Sequence, residues 1–400
     1  MTWQTKKLSD VIIDIKDGGT PSRKKLEYFG GDIFWCVVKD IKSKIYDTRE
    51  KLTQAGLEHS SAKVWPINSV IISLGATIGQ IGIAKVPTAT KQGISGIVVN
   101  KDLLLPEYLV YVLIEKKEYI QSIASGTTIK EVRPKKLSEM LVFPLPPLAE
   151  QKRIVKILDE IFEKVTKARE NAEKNLKNSR ELFESYLQSV FTGDVEYKKL
   201  GDKSLFQIID GDRGKNYPKK SDFHDDGYCL FLNTKNVRPD GFSFETKMFI
   251  TEAKDNLLGN GKLKRNDVLL TTRGTIGNTA VYNESIPFEN IRINSGMLIF
   301  RPETKLIIPE YLFAVFQSGI MKVQIKKYVS GAAQPQLPIK TLVNFSIPVP
   351  KSITEQKAIV KKLDALSGET KKLEAIFRRK IASLAELKKS VLKQAFSGEL

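Results

Sequence analysis

The sequence predicts an α+β chain: two similar α/β heads joined by two long antiparallel coiled-coil helices, related by a pseudo-two-fold axis. Three observations predict it. The chain repeats itself, and each repeat ends in apolar residues at helical spacing. The remainder of each repeat consists of short strand-like runs separated by turn residues.

The repeat comes first. Phe143-Pro144-Leu145-Pro146 leads into Glu150-Gln151-Lys152 and Ile154-Val155-Lys156. Ile347-Pro348-Val349-Pro350 leads into Glu355-Gln356-Lys357 and Ile359-Val360-Lys361, with Glu355 standing 205 residues after Glu150. Phe191-Thr192-Gly193 answers Phe396-Ser397-Gly398, Thr77-Ile78-Gly79 answers Thr275-Ile276-Gly277, and Pro106-Glu107-Tyr108-Leu109 answers Pro309-Glu310-Tyr311-Leu312. Gly126 answers Gly331, and Lys6-Lys7-Leu8 answers Lys198-Lys199-Leu200. The ends of the copies match well and the middles poorly, as expected of one scaffold carrying two different surfaces. The expected boundaries are a head over 1–146, a helix over 147–193, a head over 194–350 and a helix over 351–400.

Within the heads, Ile33–Val38, Ser69–Ser73 and Gly96–Val99 read as strands, as do Asp267–Thr271 and Met297–Phe300. Helices follow near Glu107–Ser122 and Glu310–Lys322, each opened by Pro-Glu. The long helices carry the 4,3 spacing of a coiled-coil seam. The first seam reads Ile154, Leu158, Ile161, Val165, Ala168, Ala172, then Asn175 and Ser179, then Leu182 and Tyr186. The second reads Ile359, Leu363, Leu366, Thr370, Leu373, Phe377, Lys380, Leu384, Leu387 and Val391. Ser352-Ile353-Thr354-Glu355 fits a capping box, Pro147 can open the first helix, and Gly193 and Gly398 suit the residue past a helix end. Helices of ~45 residues span ~67 Å, more than a ~150-residue domain's width, so the helices are expected to bury their stripes on each other rather than each along its own head.

Composition sets the chemistry. The 400 residues hold 64 Lys+Arg against 46 Asp+Glu, a net +18, with +6 over residues 1–148 and +6 over residues 194–351. That excess points to a polyanion, nucleic acid or an anionic membrane surface. No apolar run approaches the ~20 residues of a membrane span, and no signal-peptide core follows Met1, so a soluble cytoplasmic protein is expected. Two cysteines, Cys36 and Cys229, and two histidines, His59 and His224, provide neither a zinc site nor a disulfide framework. Both histidines are expected at the surface. Gly75-Ala76-Thr77-Ile78-Gly79 and Arg273-Gly274-Thr275-Ile276-Gly277 lack the Lys of a phosphate loop and read as tight turns. Gly18-Gly19 and Gly211-Asp212-Arg213-Gly214 read as turns first. No catalytic, cofactor or metal motif is found, including the Asp/Asn-Pro-Pro-aromatic tetrapeptide of amino-methylating DNA methyltransferases.

Basic and amide side chains in loops carry the positive case. In the first head these are Arg23, Lys24, Lys39, Lys91, Gln92, Lys130 and Arg133; in the second, Arg213, Lys215, Lys235, Asn236, Arg273, Arg292, Gln334 and Gln336. Arg, Lys, Gln and Asn pair bidentately with purine edges, and Lys and Arg also hold phosphates. Lys39-Asp40-Ile41 and Lys235-Asn236-Val237 take corresponding places after strands, as loop anchors or as DNA contacts.

Two half-repeats, each with a Pro-rich lead, Glu-Gln-Lys, a long helix and Phe-(Thr/Ser)-Gly, resemble the specificity subunit of type I restriction–modification enzymes. Ser125-Gly126-Thr127 upstream adds to the likeness, which covers essentially the whole chain; Lys351-Ser352-Ile353 departs from Pro147-Leu148. The resemblance implies two target-recognition domains, each reading one half of a split site in double-stranded DNA. It implies two methyltransferase subunits as partners, and restriction subunits in the complete enzyme. It also implies a subunit without catalysis or cofactor, its partners binding S-adenosylmethionine and ATP. Two other readings use the same features: a coiled-coil adaptor for protein partners, and a self-contained methyltransferase or nuclease.

Overall fold

A computed structural model describes residues 3–127, 130–191, 195–329 and 335–400. Contacts divide the chain into two compact units: residues 1–173 with 378–400, and residues 174–377. Each unit therefore holds one head and a piece of both long helices.

In the first unit, a five-stranded sheet runs in the order Ile12–Asp17, Ile94–Val99, Val70–Ser73, Ile81–Ala84, Lys44–Ile45. Side chains alternate across it, so its two faces bury different sets. Val70, Ile72, Ile97 and Val99 face a core shared with Tyr108, Leu109 and Val112 of the helix Pro106–Glu115. Ile71 and Ile94 face the other way, onto Cys36 and Trp65 of a second, four-stranded sheet. That sheet contains Phe29–Cys36 paired in parallel with Thr88–Thr90. Gly96 is required under Trp65, because a Cβ there would overlap the indole ring.

The second unit repeats the plan. Its four-stranded sheet runs Phe206–Asp210, Met297–Pro302, Val268–Thr271, Thr279–Val281. Val268, Leu270, Leu298 and Phe300 pack with Tyr311, Leu312 and Val315 of the helix Pro309–Gln317, while Leu269 and Ile299 pack with Leu230 and Ile293. Cys229–Leu232 pairs in parallel with Ile291–Ile293, as the corresponding strands of the first head do. Each head is closed by pairing its start with its end: Thr5–Lys7 with Val142–Pro144, and Glu196–Lys199 with Ser346–Val349. This closure accounts for the close match at the repeat's two ends.

The long helices are Leu148–Val190 and Ile353–Ser397. Ser352 Oγ accepts the Glu355 N–H at 3.1 Å, as the capping box requires, and Gly398 is left-handed at φ 82°. Gly193 lies outside the described residues. Antiparallel packing within the first unit is seen where Arg153 Nη2 donates to the Leu400 carbonyl and Lys388 lies 4.3 Å from the Phe162 ring centre. Burial, and then the nearby Arg169 charge, pull the Lys388 ammonium below its ordinary range. In the second unit Arg180 pairs with Glu374 at 3.0 Å.

The seam keeps one of its two expected positions: Leu158, Val165, Ala172, Ser179 and Tyr186 on the first helix, and Leu363, Thr370, Phe377, Leu384 and Val391 on the second, are buried or half-buried. Leu182, Leu373 and Leu387 are exposed, 61%, 41% and 46%, and so are Asn175 and Lys380. At the alternate position the following residue turns inward instead: Leu176 and Phe183 on the first helix, and Glu374, Ile381 and Lys388 on the second. No helix among the described residues is long and apolar enough to cross a membrane.

Candidate nucleic-acid interface

At one end of each head four loops are tied together by backbone hydrogen bonds, the ties correspond, and a fifth loop packs against them. In the first head, Lys91 N–H donates to Cys36 O at 3.0 Å, Leu74 N–H to Gly93 O at 2.8 Å, and Val132 N–H to Leu74 O at 2.8 Å. In the second, Asn294 N–H donates to Leu232 O at 3.1 Å, Thr272 N–H to Gly296 O at 2.8 Å, and Leu337 N–H to Thr272 O at 2.9 Å. The fifth loop joins through glycine. A Cβ on Gly18 would overlap the Thr90 carbonyl oxygen, and one on Gly211 the Asn294 carbonyl oxygen. These glycines are thus close-approach positions, where the sequence alone suggested turns first.

The Thr-Ile-Gly loops are the same turn in both heads. Ser73 and Thr271 each donate a hydroxyl to the carbonyl of the loop threonine, Thr77 or Thr275. Gln80 N–H and Asn278 N–H donate back to those hydroxyl oxygens at 2.9 and 3.0 Å. Each loop is thus braced across its base by the last residue of a strand, which suits a reading surface.

A short 3-10 turn resolves the Lys39 and Lys235 positions. Asp40 Oδ2 accepts the Val37 N–H at 3.0 Å and Asn236 Oδ1 the Asn233 N–H at 2.9 Å. These two residues are buried anchors; the lysines beside them, Lys39 and Lys235, are exposed. Asn236 is corrected here as a DNA contact. Its amide also donates to Ser243 O and Thr246 O, so no edge is left for a base.

Arg292 is a second correction. It lies on the strand Ile291–Ile293, is 5% exposed, and forms an ion pair with the fully buried Asp255. Its guanidinium further donates to the carbonyls of Asn260, Asp255 and Leu258. Burial pushes the Asp255 carboxyl up, but hydrogen bonds from Lys262 and Arg292 more than offset it and hold the group below the usual range. Arg23 is likewise occupied: it forks onto Glu50 and lies over the Phe29 and Trp35 rings at 4.7 and 5.1 Å. It ties Phe29–Cys36 to Glu50–Leu52 and does not present a free fork.

The remaining candidates are accessible. Lys24, Gln92, Lys130, Arg133, Lys215, Arg273 and Gln336 are exposed, and Lys91 is half-buried. Arg213 is exposed but pairs with Asp210 at 3.0 Å and donates to Ser295 O. Gln334 lies outside the described residues. Of these, Lys39, Lys91, Gln92, Lys130 and Arg133 come together on or beside the first loop cluster, and Arg213, Lys235, Arg273 and Gln336 on the second. Sequence reading missed Arg49, exposed and 3.5 Å from Asp40 beside the Lys39 turn. It stands alone in sequence, and only the fold brings it to that turn. Asp212 was passed over as well. Burial pushes its carboxyl up, but N–H donors from Gly214, Gly259 and Asn260 more than offset that and hold it below its ordinary value. Among the described residues no cluster of His, Cys, Asp and Glu could hold a metal ion.

The family model described as "Type I restriction modification DNA specificity domain" matches residues 1–176 and again 192–380. The chain belongs to this family. Among specificity-domain proteins, it is 27% identical over 381 residues to the type I restriction enzyme MjaIX specificity subunit of Methanocaldococcus jannaschii, covering 89% of this chain and 84% of that one. It is 28% identical over 339 residues to the EcoBI specificity subunit of Escherichia coli, covering 78% and 70%. A solved chain from work on complex assembly and conformational transition of the type I R-M system shares the fold, with TM-score 0.79 at 22% identity over 100% of this chain and 98% of that one.

Proposed function

We propose that this specificity-domain protein is the DNA sequence-reading subunit of a type I restriction–modification complex. Each head takes one half of a split, asymmetric site in double-stranded DNA. One observation carries the reading: the same five loops, four tied by corresponding hydrogen bonds and one packed through a glycine, end both heads, while the side chains exposed on them differ. A shared frame with unlike tips is what two half-sites of different sequence call for. The net charge of +18 supplies the sequence-independent attraction to phosphates. The two long helices fix the distance between half-sites and dock two methyltransferase subunits, with restriction subunits joining in the full complex. The chain itself is non-catalytic and cytoplasmic, and it works without a cofactor of its own.

Selection of bound duplexes from a randomised pool tests this. A bipartite consensus with a fixed gap is expected, with affinity falling steeply as salt rises. Binding to all duplexes alike would overturn it.

A further inference from the structure

Arg273 and Gln336 lie on two different loops of the second head, yet face each other as antiparallel bridge partners. The tie closing the bridge runs between their neighbours, Leu337 N–H to Thr272 O. They are therefore a non-hydrogen-bonded pair, the closer kind, with Cα atoms about 4.5 Å apart and side chains on one face. Thr272 and Leu337 are buried, 5% and 2%, while Arg273 and Gln336 are exposed. The Arg273 backbone is pinned a second time, its N–H donating to Gly296 O at 3.2 Å. Among the described residues neither the Arg273 guanidinium nor the Gln336 amide has a hydrogen-bond or ion-pair partner. Two fixed backbones thus hold a free guanidinium fork beside a free amide.

The corresponding place in the first head is built alike and armed differently. Gly75 N–H donates to Gly93 O at 3.0 Å, and Val132 N–H to Leu74 O. The residues standing where Arg273 and Gln336 stand are Gly75 and Glu131, which offer no donor side chain. Lysine is common to both heads at another place, the 3-10 turn of Lys39 and Lys235. Contacts that stay the same between modules reading different sequences are backbone contacts; those that change carry the sequence.

We propose that Arg273 and Gln336 act as one base-reading unit in the second head, taking a guanine edge and a neighbouring adenine edge in the major groove, with Lys235 holding a phosphate. An arginine fork matches guanine O6/N7, and a glutamine amide matches adenine N6/N7. The side chains stand close enough to meet adjacent base pairs. This rests on the DNA-reading role proposed above.

The test is duplex selection with the full chain and the variants R273A, Q336A, the double exchange R273G/Q336E, and K235A. The exchange installs residues that the first head already carries on the same backbone, so folding is retained. R273A and Q336A should each lose preference at one base pair, roughly 10- to 100-fold in discrimination. The two positions should be adjacent and in the same half-site, the other half-site being unchanged. The exchange should lose both. K235A should weaken every sequence equally. Uniform weakening by R273A and Q336A, with the consensus intact, overturns the reading pair while leaving the DNA-reading role standing. Absence of any consensus with the unaltered chain overturns both.

Discussion

The Gln356 side-chain oxygen accepts the Ile308 backbone N–H at 3.0 Å, and the same amide donates to Leu306 O at 2.9 Å. Gln151 repeats this in the first unit, accepting from Leu105 N–H and donating to Leu103 O and Pro146 O. Both glutamines are fully buried. The Glu-Gln-Lys motif is thus a clamp joining the start of a long helix to its head. Gln356→Leu leaves a buried N–H and carbonyl unpaired, each worth ~1–3 kcal/mol. Urea unfolding should show the second unit destabilised by at least about 2 kcal/mol, and an unchanged midpoint would refute the clamp.

The Asp255–Arg292 pair sets an acid limit on the second unit. Its carboxyl titrates below the ordinary carboxylate range once folded. A depressed folded value means the stabilisation is complete above the unfolded value of ~3.9 and fades as pH falls towards the lower folded one. Asp255→Asn strands a buried guanidinium, at a cost of ~3–5 kcal/mol at pH 7. Thermal unfolding from pH 7 to pH 3 should show a shallower acid decline in the variant than in the unaltered chain. Parallel curves would sink the assignment.

Lys39→Ala and Lys235→Ala should lower affinity for every duplex to a similar degree. Each should also cut the slope of log affinity against log salt by ~0.9, the value of one released counterion. A change of consensus with either would mean that the lysine reads a base.

Four residues inserted after Asn175 lengthen an exposed stretch of helix by about 6 Å. The gap between selected half-sites should change and both half-site sequences persist. Retention of the original gap would show that the helices do not set it.

The duplication made much of the fold legible: paired motifs at matching offsets marked out two similar heads and both long helices. Side-chain roles were legible only where backbone context could be inferred. Arg273 and Arg292 are the same residue type in the same head. One stands in a loop tied to its neighbours; the other alternates with Ile291 and Ile293 on a buried strand, and that alternation was the available signal. Asn236 could not be told from Lys235 without the turn that turns one inward and the other out. The seam was legible in one of its two positions: the residues from Leu158 to Tyr186 and from Leu363 to Val391 at seven-residue spacing stay inward, while at Asn175, Leu182, Leu373, Lys380 and Leu387 the next residue turns in instead.

The first unit is completed by residues 378–400, with Phe396 set edge-on to Tyr108 at 5.5 Å and Ala395 fully buried. The module synthesised first therefore has part of its core encoded almost three hundred residues downstream. On the ribosome it must wait, unsealed, until the whole intervening unit has emerged. A nascent chain halted before Arg378 exposes that apolar surface, and a quality-control protease meets an open module in place of a finished one.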